Sequence, residues 1–333
     1  MTPPTGPRVV VTGATGFIGR RLSLSLANAG YRVTGVSRSG RDAPGIEHSI
    51  AADLLDRDAM RAAFAGATHA VHLAARVHAS FDGDGDPAAE CRRVNVDGTA
   101  LVLEEAIAAG VRTVVYISSV KAVAGESDKI LNDTTPPRPP DPYGESKLEA
   151  EKLVATVGAR AGIATPILRL PNVYGPGMKA NMISLFKAVE KGIPLPFGLV
   201  KNRRSFAYVD NAVDAISRLL EVGESASDIY YVSDGEDIST PQLIRAIAKS
   251  LGRPARLVPV PAPVIRAASG AGVLLSRIAG FHLTGDSLSA VLGSLFVDTS
   301  RLRERTGYAP TITLERGMAR TAEWYRSRSS VTT

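Results

Sequence analysis

The run Arg8-Val9-Val10-Val11-Thr12 ends on three glycines, Gly13, Gly16 and Gly19, and a helical pattern begins at Phe17. Strand, glycine turn and helix therefore follow one another directly. Such a turn needs glycine where φ is positive, where the backbone approaches a pyrophosphate and where the helix packs closely on the strand. The helix N-terminus then presents N–H groups and a partial positive charge to phosphate. The spacing is G-x-x-G-x-x-G, which differs from the G-x-G-x-x-G of ordinary dinucleotide folds. In a chain with 31 glycines, three of them would mean little alone. Their place after an N-terminal apolar strand is what marks a dinucleotide-binding turn.

A chain of 333 residues can bury a full core, and the expected arrangement is one large α/β unit with a smaller lobe. With 44% hydrophobic and 22% charged residues, its composition is that of an ordinary soluble protein. Met1 to Pro7 lacks the charged-then-apolar architecture of an export signal, so a cytoplasmic location is expected. The apolar stretch Pro261 to Phe281 is broken by Arg266, Arg277 and glycines, which fits a lobe-packing helix better than a membrane span. Cys91 is the single cysteine, which excludes an intrachain disulfide and a cysteine-based metal cluster. His48, His69, His72, His78 and His282 show no metal-ligand spacing, so no metal is expected. The net charge of +6 comes with arginines dispersed along the chain. That favours a solvated surface with a few phosphate ligands over nucleic-acid binding.

Apolar runs at Val9–Thr12, Arg32–Ser37, His69–Leu73, Thr113–Ser118, Thr165–Leu170 and Ile229–Val232 alternate with helical patterns. The helix candidates are Phe17–Ala29, Asp56–Phe64, Val94–Ala109, Pro142–Ala161 and Val209–Glu221. Alternation of this kind predicts a Rossmann-type, doubly wound parallel sheet covered on both faces, in the α/β class. Asp141 is a good N-cap and Pro142 suits the first helical position, so that helix has a clean start. The proline-rich Thr134–Pro142 segment reads as a rigid loop before it. Beyond Asn172 the regular alternation is lost. The expected division is a nucleotide domain of residues 1–172 and 206–239, with a discontinuous α/β substrate lobe of residues 173–205 and 240–333.

Tyr143 and Lys147 are four residues apart on one predicted helix, so they share a face. Tyrosine, with a pKa of about 10, is a weak base at neutral pH. A neighbouring ammonium and a positive nicotinamide ring favour the phenolate, which can then exchange a proton with a substrate hydroxyl while hydride moves at the same carbon. A third partner is expected where the strand Thr113–Ser118 meets the ligand crevice. Ser118 and Ser119 both stand there, and one of two adjacent serines is commonly only a turn residue.

The segments Thr12-Gly13-Ala14-Thr15-Gly16-Phe17-Ile18-Gly19, His72-Leu73-Ala74-Ala75, Asn95-Val96-Asp97-Gly98-Thr99, Ser118-Ser119 and Tyr143-Gly144-Glu145-Ser146-Lys147 together resemble the extended short-chain dehydrogenase/reductases. That family comprises nucleotide-sugar epimerases, dehydratases and ketoreductases, and the resemblance covers nearly the whole chain. It implies that Ser119, Tyr143 and Lys147 are catalytic, with Tyr143 as acid and base and Lys147 on the nicotinamide ribose. It implies cofactor contacts from Gly13, Thr15, Gly16, Phe17, Ile18, Gly19, Ser37, Arg38, Asp53, Leu54, Leu73, Ala74, Ala75, Asn95, Ser118, Tyr143, Lys147 and Pro171. Asp53 in particular matches the acid that contacts adenine. The stretches Arg169–Gly177 and Arg203–Asn211 resemble those that hold the diphosphate of a nucleotide sugar, with Asn172 and Arg204 as its ligands. Arg76, His78, Ser119, Lys121, Tyr143 and Asn181 complete the expected substrate set.

Two departures narrow what the resemblance implies. Val120-Lys121 follows Ser119, where the family's dehydratases carry an Asp-Glu pair, so dehydration is disfavoured. The second strand ends Val36-Ser37-Arg38, without the acid that NAD-specific members place on the adenosine ribose, so NADP(H) is favoured over NAD(H). The expected enzyme is a reductase of a UDP-linked 4-keto-6-deoxy-N-acetylhexosamine, serving surface-polysaccharide synthesis. The alternative is a UDP-glucose or UDP-N-acetylglucosamine 4-epimerase with bound NAD, and a remoter one is a non-catalytic dinucleotide sensor. Similar proteins pair through the helices corresponding to Val94–Ala109 and Pro142–Ala161, so a homodimer is expected.

Overall fold

The computed structural model describes residues 6–77, 86–178, 181–223, 227–270 and 291–329. Its strands are β1 (Arg8–Thr12), β2 (Arg32–Ser37), β3 (His48–Ala51), β4 (His69–His72), β5 (Thr113–Ser119), β6 (Ile167–Leu170), β7 (Asn172–Tyr174), β8 (Arg204–Tyr208), β9 (Ile229–Tyr231) and β10 (Asp237–Ile238). The helices of the larger layer are α1 (Phe17–Asn28), α2 (Arg57–Phe64), α3 (Pro87–Arg92), α4 (Gly98–Ala108), α5 (Pro142–Ala161), and, past α6 (Asn181–Glu190), α7 (Val209–Val222). After these come α8 (Thr240–Leu251), α9 (Ala262–Gly270), α10 (Ser300–Thr306) and α11 (Leu314–Ser329).

Seven strands form one parallel sheet in the order β3-β2-β1-β4-β5-β6-β9. Val9, Val10 and Val11 of β1 are fully buried, as a strand covered on both faces requires. The strand order reverses between β1 and β4, so a crevice opens outside their carboxyl ends. A second sheet, β10-β8-β7, lies beside the first. It carries its own core of Tyr174, Phe186, Tyr208, Ile244, Ile247 and Tyr325 among others. The division drawn from the sequence at 172/173 and 205/206 falls inside β7 and β8.

The predicted helix Val94–Ala109 is two elements. Arg93–Asp97 is a π-helical turn, and only Gly98–Ala108 is α-helix. Such a turn admits one extra residue and is common where side chains must be re-aimed. Here Asn95 Nδ2 donates to Ser146 Oγ at 2.9 Å, and Thr99 Oγ1 meets His72 Nε2 at 3.0 Å. The start of α5 matches its sequence signal: Asp141 Oδ1 accepts from the Gly144 amide at 2.8 Å, Pro142 follows, and Gly162 ends the helix at φ 67°.

Candidate active site

The glycine turn leaves β1 at the strand reversal. Gly13 has φ 72°, and a Cβ there would stand 3.0 Å from the Ala74 amide nitrogen. A Cβ on Gly19 would stand 2.2 Å from the Gly13 carbonyl oxygen, so α1 packs on the turn as only glycine allows. Gly16 is the N-cap of α1 and offers no side chain, and the first turn of the helix holds no acid. Its N–H groups are thus left for an anion, which is what a dinucleotide pyrophosphate requires. Thr15 is half-buried, and Phe17 and Ile18 open the helix. The Phe17 ring lies against Gly177, at the start of the smaller lobe.

The opposite wall comes from β4, β5 and α5. Leu73, Ala74 and Ala75 are half-buried just past β4, and the Ala74 amide donates to Thr12 Oγ1 at 3.2 Å. Ser37 ends β2 with exposed Arg38 beyond it, and exposed Asp53 follows β3 with its Oδ1 taken by the Leu55 amide. Leu54 is buried against Gly98. Asn95 is buried; its Oδ1 accepts from the Arg76 amide at 2.7 Å and its Nδ2 donates to the Arg76 carbonyl at 3.1 Å. It clips the post-β4 loop to α5, a structural duty that its sequence motif does not reveal.

Ser118 and Ser119 end β5. Ser118 is buried, and its hydroxyl has no hydrogen-bond partner among the described residues. Ser119 accepts from the Lys121 amide at 3.2 Å. It also stands beside Tyr143, whose phenol burial pushes up to about 12 while the Ser119 hydroxyl works against the rise. Lys147 is buried, donates to the Ile117 carbonyl at 2.6 Å and lies 4.2 Å from the centre of the Tyr116 ring. Burial pulls its ammonium down to about 7, and Glu151 one turn later opposes the fall. His72, buried between Thr12 and Thr99, is held neutral, its pKa lowered to about 3 by burial and then by Lys147.

On the lobe side, Pro171 is buried between β6 and β7, and Asn172 is exposed at the start of β7. Arg204 opens β8, donates to the Gly293 carbonyl at 2.9 Å, and burial lowers it to about 10. Lys121 donates to Asp141 Oδ2 at 2.7 Å. Asn181 is the first residue of α6. His78 lies outside the described residues, as does much of the Pro261–Phe281 stretch. Sequence reasoning did not find the buried pair Arg169–Glu151, bonded through both carboxylate oxygens at 2.9 and 2.7 Å, with Tyr231 on the same guanidinium. Its partners are 18 residues apart, and only the β6–α5 packing brings them together.

A crevice with a phosphate turn on one wall and a Tyr-x-x-x-Lys helix on the other defines the short-chain dehydrogenase class of dinucleotide enzymes. Comparison with known proteins narrows this: the chain belongs to the NAD dependent epimerase/dehydratase family, whose profile matches residues 9–233. It is 34% identical to UDP-glucose 4-epimerase of Vibrio cholerae over 322 residues, covering 95% of this chain and 94% of that one. It is 27% identical to N-acetyl-alpha-D-glucosaminyl-diphospho-ditrans,octacis-undecaprenol 4-epimerase of Escherichia coli O157:H7, covering 95% and 94%. Among solved structures, MoeE5 in complex with UDP-glucose and NAD superposes with a TM-score of 0.77 at 27% identity, covering 97% of this chain and 99% of MoeE5. No helix among the described residues is long and apolar enough to cross a membrane.

Proposed function

We propose that this enzyme moves hydride at carbon 4 of a UDP-linked hexose, with Ser119, Tyr143 and Lys147 as its catalytic residues. The observation that carries the reading is the placement of Ser119 beside the half-buried Tyr143 side chain, with Lys147 buried one turn further along the same helix. Bound nicotinamide supplies the hydride acceptor and donor. The Ser119 hydroxyl holds the oxygen on carbon 4, and Tyr143 takes its proton as the C–H electron pair leaves, giving a 4-keto sugar. Lys147 would hold the nicotinamide ribose, and the positive nicotinamide ring would favour the phenolate. Arg204 and Asn172 receive the diphosphate, and Arg76, Lys121 and Asn181 border the sugar.

Return of the same hydride to the opposite sugar face makes the enzyme a 4-epimerase, which the 34% identity to a UDP-glucose 4-epimerase supports. That reaction needs NAD retained through the cycle, as NAD is held in the solved MoeE5 complex. A second reading is a UDP-4-keto-6-deoxy-N-acetylhexosamine 4-reductase that exchanges NADP(H) with solution. The end of β2 favours it, because Ser37 and exposed Arg38 offer a 2′-phosphate hydrogen bonds and charge without a carboxylate to repel it. Purification decides between them. NAD carried along by the wild-type protein supports epimerisation, and an empty protein that binds NADPH more tightly than NADH supports reduction. We further read α4 and α5 as the seam of a homodimer.

A further inference from the structure

Lys121 is where the sequence departs from the family's dehydratases, and the structure gives it a specific neighbour. Its ammonium donates to Asp141 Oδ2 at 2.7 Å, while Asp141 Oδ1 accepts from the Gly144 amide at 2.8 Å. The Lys121 amide donates to Ser119 Oγ at 3.2 Å. A Cβ on Gly144 would stand 2.4 Å from the Lys121 carbonyl oxygen, so the two backbones touch. Lys121 therefore contacts Ser119 through its amide, the first turn of α5 through its carbonyl and the N-cap of α5 through its side chain.

We propose that Lys121 is a positioning residue: its ion pair with Asp141 holds the Ser119 turn against the first turn of α5 and sets the charge beside Tyr143. This goes beyond the sugar-lining role that sequence resemblance suggests for Lys121, and it rests on Tyr143 being the acid and base. The Asp141 side chain is 7% exposed and that of Lys121 is 35% exposed, so the carboxylate is the member that burial penalises when the other is removed. The groups acting on the phenol are Ser119 and Tyr116 of β5, Cys91 of α3 and Asp141 itself. The nearby charges of α3 and the π-turn are paired, Glu90 with Arg93 and Arg92 with Glu149. Asp141 opposes formation of the phenolate, and the Lys121 ammonium offsets that opposition.

The test is a charge cycle on Lys121→Met, Asp141→Asn and the double variant, with Lys121→Arg as the conservative control. Asparagine keeps the cap on Gly144 through its carbonyl oxygen and removes the charge together with the oxygen that accepts from Lys121. With NAD bound, protein labelled at the tyrosine ring Cζ with carbon-13 reports ionisation by NMR, and the Tyr143 signal is assigned from Tyr143→Phe. Lys121→Met is expected to move the Tyr143 midpoint up by about one pH unit, and Asp141→Asn to move it down by a similar amount. The double variant is expected to return near wild type, and Lys121→Arg to match it. The rising limb of the pH–rate profile moves in the same directions, with kcat at neutral pH falling about tenfold in Lys121→Met and recovered in Lys121→Arg. Midpoints that coincide in wild type and both single variants overturn the proposal. If the midpoints move as expected but the wild type turns over no nucleotide sugar, the functional reading fails and the positioning role stands.

Discussion

Tyr143 and Lys147 are both held away from their charged forms by burial, the phenol up to about 12 and the ammonium down to about 7. The protein's own residues therefore do not produce the phenolate at neutral pH; a positive charge delivered to the crevice must. Tyr143→Phe is expected to cut turnover by about 10²–10⁴-fold while dinucleotide binding, measured by fluorescence titration, is kept. Lys147 also makes stability depend on pH. With no cofactor bound, its folded pKa of about 7 lies below its unfolded value, so between the two the unfolded chain holds a proton that the folded one has lost. Wild type should gain stability over Lys147→Met as pH rises through that window, which parallel denaturation curves would register; a constant gap would refute the burial effect. At this scale Tyr143, Lys147 and the Ser118–Ser119 pair were legible because residue type and spacing carry the signal. The bonds of Asn95 to Arg76 and Ser146 depend on the π-turn, which has no sequence mark.

At the scale of elements, the strand–turn–helix start was the most legible part, since glycine at positive φ and close helix packing leave few alternatives. Gly19→Ala places a methyl against the Gly13 carbonyl oxygen and is expected to cost about 1–3 kcal/mol together with a loss of dinucleotide affinity. Calorimetric melting and cofactor titration would show both, and an unchanged melt would mean that the turn is looser than described. The buried Arg169–Glu151 pair ties β6 to α5, behind Lys147. Glu151→Ala leaves a buried guanidinium without its carboxylate and should lower unfolding free energy by about 3–5 kcal/mol. The strands β3, β7, β8 and β10 were not found from sequence. β3 is nowhere fully buried and so shows no apolar run, and β7, β8 and β10 form a second sheet outside the strand–helix alternation that marks the first.

For the whole molecule, the net charge of +6 hides an asymmetry. Residues 173–205 and 240–333 hold 19 Lys and Arg against 6 Asp and Glu, whereas the rest holds 20 against 27. The arginines are less evenly dispersed than a simple scan suggests. If the basic segments border the diphosphate, as proposed for Arg204, kcat/KM for a nucleotide sugar should fall severalfold, to about a third or less, between low and physiological salt. A salt-independent value would place the charge outside the approach path. Light scattering is expected to show a dimer, and a monomer would remove α4 and α5 as a seam.

The most direct test of the central claim is to give the purified protein UDP-N-acetylglucosamine and UDP-glucose without added cofactor, then a UDP-4-keto-6-deoxy-N-acetylhexosamine with NADPH, with Tyr143→Phe alongside throughout. The account predicts C4 epimers in the first case or oxidation of NADPH in the second, with either product lost in Tyr143→Phe. No reaction with any of these sugars, or full activity in Tyr143→Phe, would contradict it.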